Sequence, residues 1–162
     1  MSVRNGIRIG VDVGKARVGV ARSDAAGILA TPYETMPAGH RALNGVAKLV
    51  RDTSALEVIV GLPLNMDGSE GAAAKDARRW AQRLARKILP VPVRVVDERL
   101  STVQAHRQLR EAGLKEISHK RVIDQAAAVI ILEQALELER TSGEAPGEVI
   151  SLNAGGEPVV EE

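Results

Sequence analysis

Five short runs rich in β-branched residues, and the segments that separate them, constrain this chain more than any other feature. IRIGVDV (7–13) and VGVARSD (18–24) are split only by GKAR, a tight hairpin in which Gly14 supplies backbone freedom. ILATPYETM (28–36) follows through an AAG turn as a third strand, and Pro32 favours an edge or irregular position because proline cannot donate to a sheet ladder. LEVIVG (56–61) and VPVRVVD (91–97) are different, since each follows a segment of helical period. In residues 41–53 Leu43, Val46, Ala47, Leu49 and Val50 share one side, and in residues 72–88 Ala73, Ala77, Trp80, Leu84 and Ile88 recur at helical spacing. The order predicts an α/β fold: a mixed five-stranded sheet, three antiparallel strands then two parallel, with helices on its faces.

Beyond the fifth strand, Ser101 with Gln104 forms a capping box for a helix to about Ala112, ended by Gly113. KEISHKR (115–121) reads as a basic loop, and the last helix carries AAAVIIL (126–132), apolar on nearly every side and therefore expected against the sheet. From Thr141 the chain has Gly, Pro and Glu without periodicity, so residues 1–140 form one domain and residues 141–162 an acidic, disordered tail.

Composition narrows the function classes. A chain of 162 residues buries a real core without staples, and a hydrophobic fraction of 44% with no long uncharged apolar run speaks against a membrane span. The short apolar stretch after Arg4 and Arg8 is interrupted by Asp12, which does not suit a signal peptide, and a cytoplasmic location is the simplest expectation. Zero cysteines exclude disulfides, thiolate metal sites and cysteine nucleophiles together. The net charge of +1 hides an asymmetry: the tail holds five acids and no Lys or Arg, so residues 1–140 carry 22 bases against 16 acids, a net of +6. A basic body points to a polyanionic partner. With no Phe, one Tyr and one Trp, the chain lacks the aromatic platforms on which single-stranded bases stack.

The chemistry rests on acids placed inside apolar elements. Asp12 lies between Val11 and Val13, Asp97 and Glu98 end the fifth strand, and Asp124 opens the final helix. Each has a plain structural account: a turn-capping carboxylate for Asp12, a solvated strand end for the pair, a dipole-favoured helix start for Asp124. In a mixed sheet, however, the first strand and the later parallel strands can be neighbours, so that their ends and a covering helix converge. Carboxylates so clustered raise one another's pKa values unless a hard divalent ion relieves the repulsion, which suits Mg²⁺ or Mn²⁺. Two such ions, about 3.5–4 Å apart, can activate water and stabilise the leaving oxygen of a phosphodiester displacement.

VDVGKARVGVARSD, VIVGLPLNMDGSEG, VVDERLSTVQA and VIDQAAAVIILE together resemble the YqgF family, also called RuvX, over about residues 6–138. The resemblance implies an RNase H-like fold, likeness to RuvC-type Holliday junction resolvases, and a nuclease maturing the 5′ end of pre-16S ribosomal RNA. It puts the family's acids on Asp12, on the Asp97 and Glu98 pair, and on Asp124 as catalytic residues and metal ligands. Alternation sends Asp97 and Glu98 to opposite sides, so Glu98 is taken as the ligand with Asp97 as the alternate, free to orient Arg99. The residue after the last acid, often small in the family, is Gln125 here.

Expected substrate contacts are Lys15 in the GKAR turn, Asn65 in the glycine-rich GLPLNMDGSEG loop, Arg99, and Lys120 and Arg121 ahead of Asp124. The basic stripe of Arg78, Arg79, Arg83 and Arg86 reads as the solvated face of a helix. The expected partner is structured RNA, pre-16S rRNA with the ribosome or its precursor, or else branched DNA, where symmetric cuts call for a homodimer. Two further readings are a noncatalytic ribosome-assembly factor and an actin-like kinase, the latter needing a much longer chain.

Overall fold

A computed structural model describes residues 3–100 and 117–152, the side chains of residues 100 and 117–124 excepted. Three strands come first: β1 (Arg8–Val13), β2 (Arg17–Ser23) and β3 (Ala30–Pro37). Then α1 (His40–Thr53), β4 (Glu57–Leu62), α2 (Ala72–Lys87) and β5 (Val93–Asp97) alternate, and a single 3₁₀ turn, Glu98–Leu100, closes β5. The long helix α3 (Ile117–Ser142) and a short strand β6 (Glu148–Val149) complete the described chain. The expected helix over 101–112 lies outside the described residues.

The sheet order is β3-β2-β1-β4-β5-β6, with β1, β4 and β5 parallel and the remaining pairs antiparallel. Pro32 does sit on an edge strand, and the register slips beside it so that Val20 faces Glu34 while Ala21 faces Pro32. Tyr33 is thereby left over as a bulge, the usual way an edge absorbs a residue that cannot pair.

Alternation divides the core between two layers. Ile9, Val11, Val58, Val60, Val93 and Val95 face α1 and α2, where Leu43, Val46, Val50, Trp80 and Leu84 meet them. Ala21, Ile59 and Val96 face the other way, against Ala127, Ala128, Ile131, Leu132 and Leu136 of α3. Gly10 of β1 lets α3 sit close: a Cβ there would lie 2.8 Å from the Leu132 Cβ and 2.9 Å from the Ala128 carbonyl oxygen. The apolar run of the last helix thus packs on the sheet as expected.

Several expectations change. The sheet gains a sixth strand from the segment expected to be a disordered tail: Thr141 and Ser142 finish α3, Glu148 and Val149 pair with β5, and Ile150 is buried. Two paired residues are too short for any periodicity to announce, and residues 153–162 lie outside the described chain. The basic loop also fails, because α3 has begun by Ile117 and its Lys and Arg are good helix formers. Asp124 therefore lies two turns inside α3, beyond the first turn to which a helix-dipole account applies. On α2, Ala74, Ala81 and Ala85 are buried and Ala73 is exposed. Arg78, expected on a solvated face, is clamped by Glu70 (2.9 and 2.7 Å) and by Glu148 of β6 (2.9 Å), which holds its pKa above the ordinary value.

At the end of the sheet where β1 and β4 begin, a charge network replaces apolar packing. Glu57 is fully buried between Arg4 and Arg94, each at 2.9 Å, and the buried Glu139 of α3 accepts from Arg4 (2.8 Å) and Arg8 (3.1 Å). An isolated buried carboxylate is too costly to keep, and these arginines are what make both tolerable.

Candidate active site

At the opposite end of the sheet the strand pattern turns two acids to the same face. Ile9 and Val11 are buried toward α1 and α2, so Gly10 and Asp12 fall on the α3 side of β1. Asp12 pairs with Gly19 on β2, and since Val11 pairs with Val60 on β4, the next residue alongside Asp12 is Gly61. Across β4, Gly61 pairs with Val96, which also faces α3. Two residues beyond Val96 comes Glu98, on the same side.

Gly61 is where the two acids are brought together. A Cβ on Gly61 would lie 2.2 Å from Glu98 Oε1, 3.0 Å from its carboxyl carbon and 2.5 Å from Ile131 Cδ1. The Glu98 carboxylate therefore rests directly on the β4 backbone, under α3, in the strand position next to Asp12. Adjacent strands stand about 4.8 Å apart, so this places two acids as near neighbours. Both are withdrawn from solvent, Asp12 at 1% exposure and Glu98 at 0%. Gly61 does carry a signal in the sequence: a glycine within VIVGL, where every neighbour is apolar and bulky, is the usual mark of something approaching the backbone closely.

Position 124 sits one turn before Ala128, whose carbonyl approaches Gly10 on β1. The far end of α3, at Glu139, meets the start of β1, so the helix runs back along the sheet and its early turns lie toward Asp12. The side chains of Asp124, Lys120 and Arg121 lie outside the described set. Among the described residues no group of three metal-ligating side chains is assembled. What is present, two buried carboxylates and a glycine cradle between them, has the oxygen-only character that a hard divalent cation takes.

Asp97 points away from this pair and is engaged elsewhere. Its carboxylate accepts from the Arg99 backbone N–H (2.9 Å), from Nε (3.0 and 3.1 Å) and from Nη2 (2.7 Å). These bonds hold the Asp97 carboxyl below the usual carboxylate range against a smaller opposing effect of burial. Arg99 also donates from Nη1 to the Met66 carbonyl oxygen at 3.2 Å and lies against Gly68. It thus ties the end of β5 to the β4–α2 loop. The charge at the end of β5 divides accordingly: one acid for the α3 face, one acid and the arginine for the loop.

That loop is held by its own side chains. Asn65 donates from Nδ2 to Ser69 Oγ (2.9 Å), its backbone exchanges bonds with Ser69 and Gly68, and Asp67 accepts from Ser69 Oγ (2.6 Å) and the Ser69 N–H (2.9 Å). The Ser69 bonds keep the Asp67 carboxyl below its ordinary pKa. The loop ends at Gly71, which begins α2 with no side chain capping its first turn. Lys15 is exposed at the tip of the β1–β2 turn, on the side of the sheet end where Asp12 lies.

The family described as "RuvX: Holliday junction resolvase" matches residues 6–138. A protein of Streptomyces avermitilis with the name "Putative pre-16S rRNA nuclease" is 54% identical over 157 residues, covering 94% of this chain and 99% of its own. A relative of the same name from Nocardioides is 48% identical over 153 residues, covering 91% of this chain and 98% of its own. Among solved structures, Thermus thermophilus RuvC in complex with a Holliday junction substrate superposes with a TM-score of 0.54 at 16% identity, covering 89% of this chain and 99% of that one. That likeness fixes the fold as the mixed α/β arrangement of RuvC, the RNase H-like one. With the match running through β1, the β4–α2 loop, the end of β5 and α3, this chain belongs to the RuvX family.

Proposed function

We propose that this chain is a divalent-metal-dependent endonuclease that hydrolyses phosphodiester bonds in structured RNA, and that its role is processing of the 5′ end of pre-16S rRNA. The observation that carries this reading is a pair of buried carboxylates on the α3 face, Glu98 seated on Gly61 and Asp12 in the neighbouring strand position of β1. The name borne by its half-identical relatives supports RNA as the substrate.

Asp12 and Glu98, joined by Asp124 from α3, would hold one or two Mg²⁺ or Mn²⁺ ions. When bound, such ions supply charge neutralisation at the scissile phosphate and a more acidic water. The chain's own contribution is positional. Burial under α3 keeps both carboxylates fixed and competing water out, and Gly61 gives Glu98 its seat. Asp97 locks Arg99 across the β4–α2 loop, setting the rim over which a backbone passes. Lys15, Asn65, Lys120 and Arg121 are assigned to phosphates of that backbone, where contacts position the strand and carry little sequence information.

The test is cleavage of an end-labelled pre-16S leader RNA by the purified chain with Mn²⁺ or Mg²⁺, beside Asp12→Asn and a labelled four-way DNA junction. RNA cleavage that needs the metal and drops at least about 100-fold in Asp12→Asn is expected, by analogy with other groups stabilising a transition state. Cleavage of the junction alone would replace this reading with the resolvase activity in the family's description. Metal binding without cleavage of either substrate would leave a binding factor.

A further inference from the structure

By spacing, Arg78 belongs to the basic stripe of α2 with Arg79, Arg83 and Arg86, yet it is built into the fold. Its side chain is 15% exposed, and all three nitrogens of its guanidinium donate to carboxylates. Nε and Nη2 hold Glu70 at 2.9 and 2.7 Å in the paired geometry of the guanidinium fork, and Nη1 holds Glu148 at 2.9 Å. An arginine so occupied has little left to offer a phosphate. Its two partners, far apart in the chain, point to another task.

Glu70 stands in the β4–α2 loop beside Ser69, whose Oγ and carbonyl oxygen both accept from Asn65, so fixing Glu70 fixes Asn65 as well. Glu148 pairs with Val95 of β5, and cross-strand partners share a face, so its side chain is directed toward α2 as that of Val95 is. The approach of β6 to β5 is close. A Cβ on Gly147, at φ 70°, would lie 2.2 Å from the Val95 carbonyl oxygen, while the Ile150 N–H donates to the Val93 carbonyl at 2.9 Å. Between the loop, β5, α3 and β6 opens a cleft of about 430 Å³, with Gly68, Glu70, Arg78 and Glu148 on its walls. On that side the loop borders open space, and the bonds that cross the rim set where it stands: Arg99 to the Met66 carbonyl, Arg78 to Glu70.

We propose that Arg78 is a positioning residue for the substrate loop and that β6 is the strap through which it acts. Glu148, anchored on β5, fixes Arg78, and Arg78 fixes Glu70, Ser69 and Asn65 at the rim beside the carboxylate pair. The loop is thereby referenced to β5, the strand that leads into Glu98, by two routes: Asp97 with Arg99, and Glu148 with Arg78. Holding the loop before the nucleic acid arrives spares the cost of ordering it on binding. The role rests on the reading of the chain as an enzyme of nucleic acid in which Asn65 meets a phosphate.

The experiment measures the affinity of the full chain for fluorescently labelled pre-16S leader RNA in EDTA, by anisotropy across a salt series. The natural sequence is compared with Glu148→Ala, Glu148→Gln and Arg78→Ala, with the fold checked by circular dichroism; Glu148 is 61% exposed, so its replacements disturb little packing. Glu148→Ala is expected to weaken binding by about 2–10-fold, the worth of one neutral hydrogen bond, although loss of an acid by itself favours a polyanion. Glu148→Gln is equally uncharged but still accepts from Arg78, so binding should return to within about twofold of the natural sequence. Arg78→Ala should match Glu148→Ala with an unchanged salt slope, since Asn65 is neutral and displaces no counterion. Ala and Gln at position 148 behaving alike would overturn the strap, because only charge would then matter. A slope shallower by about 0.7–0.9 in Arg78→Ala would make Arg78 a phosphate contact and overturn its positioning role. RNA bound equally by all four chains would overturn the role and leave the nuclease reading standing, whereas no RNA bound by the natural sequence would overturn both.

Discussion

Gly61 gives the sharpest test at the scale of one residue. Its missing side chain is what the Glu98 carboxylate occupies, with 2.2 Å between Oε1 and the position a Cβ would take. Gly61→Ala must therefore push Glu98 off the β4 backbone or lift Ile131 from the sheet. The expected outcome is a loss of metal affinity of about 10–100-fold, the scale on which residues supporting a ligand act. Mn²⁺ titration by calorimetry checks it, and affinity within twofold of the natural sequence would mean that Glu98 does not bind the ion. Asp97→Asn tests the division of labour between the two adjacent acids. It should leave Mn²⁺ affinity unchanged while freeing Arg99, seen as faster proteolysis in the β4–α2 loop, residues 64–71, that Arg99 tethers through Met66.

For an element, the seat of α3 matters most, since that helix covers the carboxylates. Gly10→Ala would set a Cβ 2.9 Å from the Ala128 carbonyl oxygen, a backbone atom that moves only if the helix moves. Overpacking of this kind costs about 1–3 kcal/mol, to be read as a lower urea midpoint with an unchanged slope. The same substitution should weaken metal binding, because the turn of α3 bearing Asp124 shifts with it. An unchanged midpoint would mean that α3 can ride further from the sheet than this packing indicates.

Across the whole molecule, the two ends of the sheet are built on opposite terms. One gathers the buried Asp12 and Glu98 beside the Asp97–Arg99 pair, the other holds Glu57 and Glu139 bonded to Arg4, Arg8 and Arg94. Burial by itself raises the Glu139 carboxyl, but the bonds from Arg4, with the charge of Arg8, outweigh it and hold the group below the ordinary value of 4.5. A depressed carboxylate adds stability that is present above its unfolded pKa and lost as pH falls through the folded one. The chain should therefore lose stability on acidification from about pH 4.5 downward, and Glu139→Gln should flatten that part of the curve. Glu139→Ala strands the buried Arg8 and should cost about 3–5 kcal/mol in urea unfolding at neutral pH. A cost below about 1 kcal/mol would show that Arg8 finds water or another acceptor instead.

Strand and helix periodicity, the hairpin at Gly14 and the edge position of Pro32 were legible from the sequence because each depends on neighbours a few residues apart. The opposite facings of Asp97 and Glu98 were legible too, since alternation along a strand is local geometry. What the residues alone determined was thus the first five strands, the helices α1 and α2, the apolar run that packs the last helix on the sheet, and the acids that interrupt them. Only the tertiary structure decided that Asp12 and Glu98 are neighbours, because that depends on β1 pairing with β4 rather than with β3, and on the register that sets Gly61 between them. The partners of Glu57, the sixth strand and the buried indole of Trp80 are of the same kind. Each is a meeting of residues far apart in the chain, and such meetings are settled by how whole layers pack, which no short window of sequence contains.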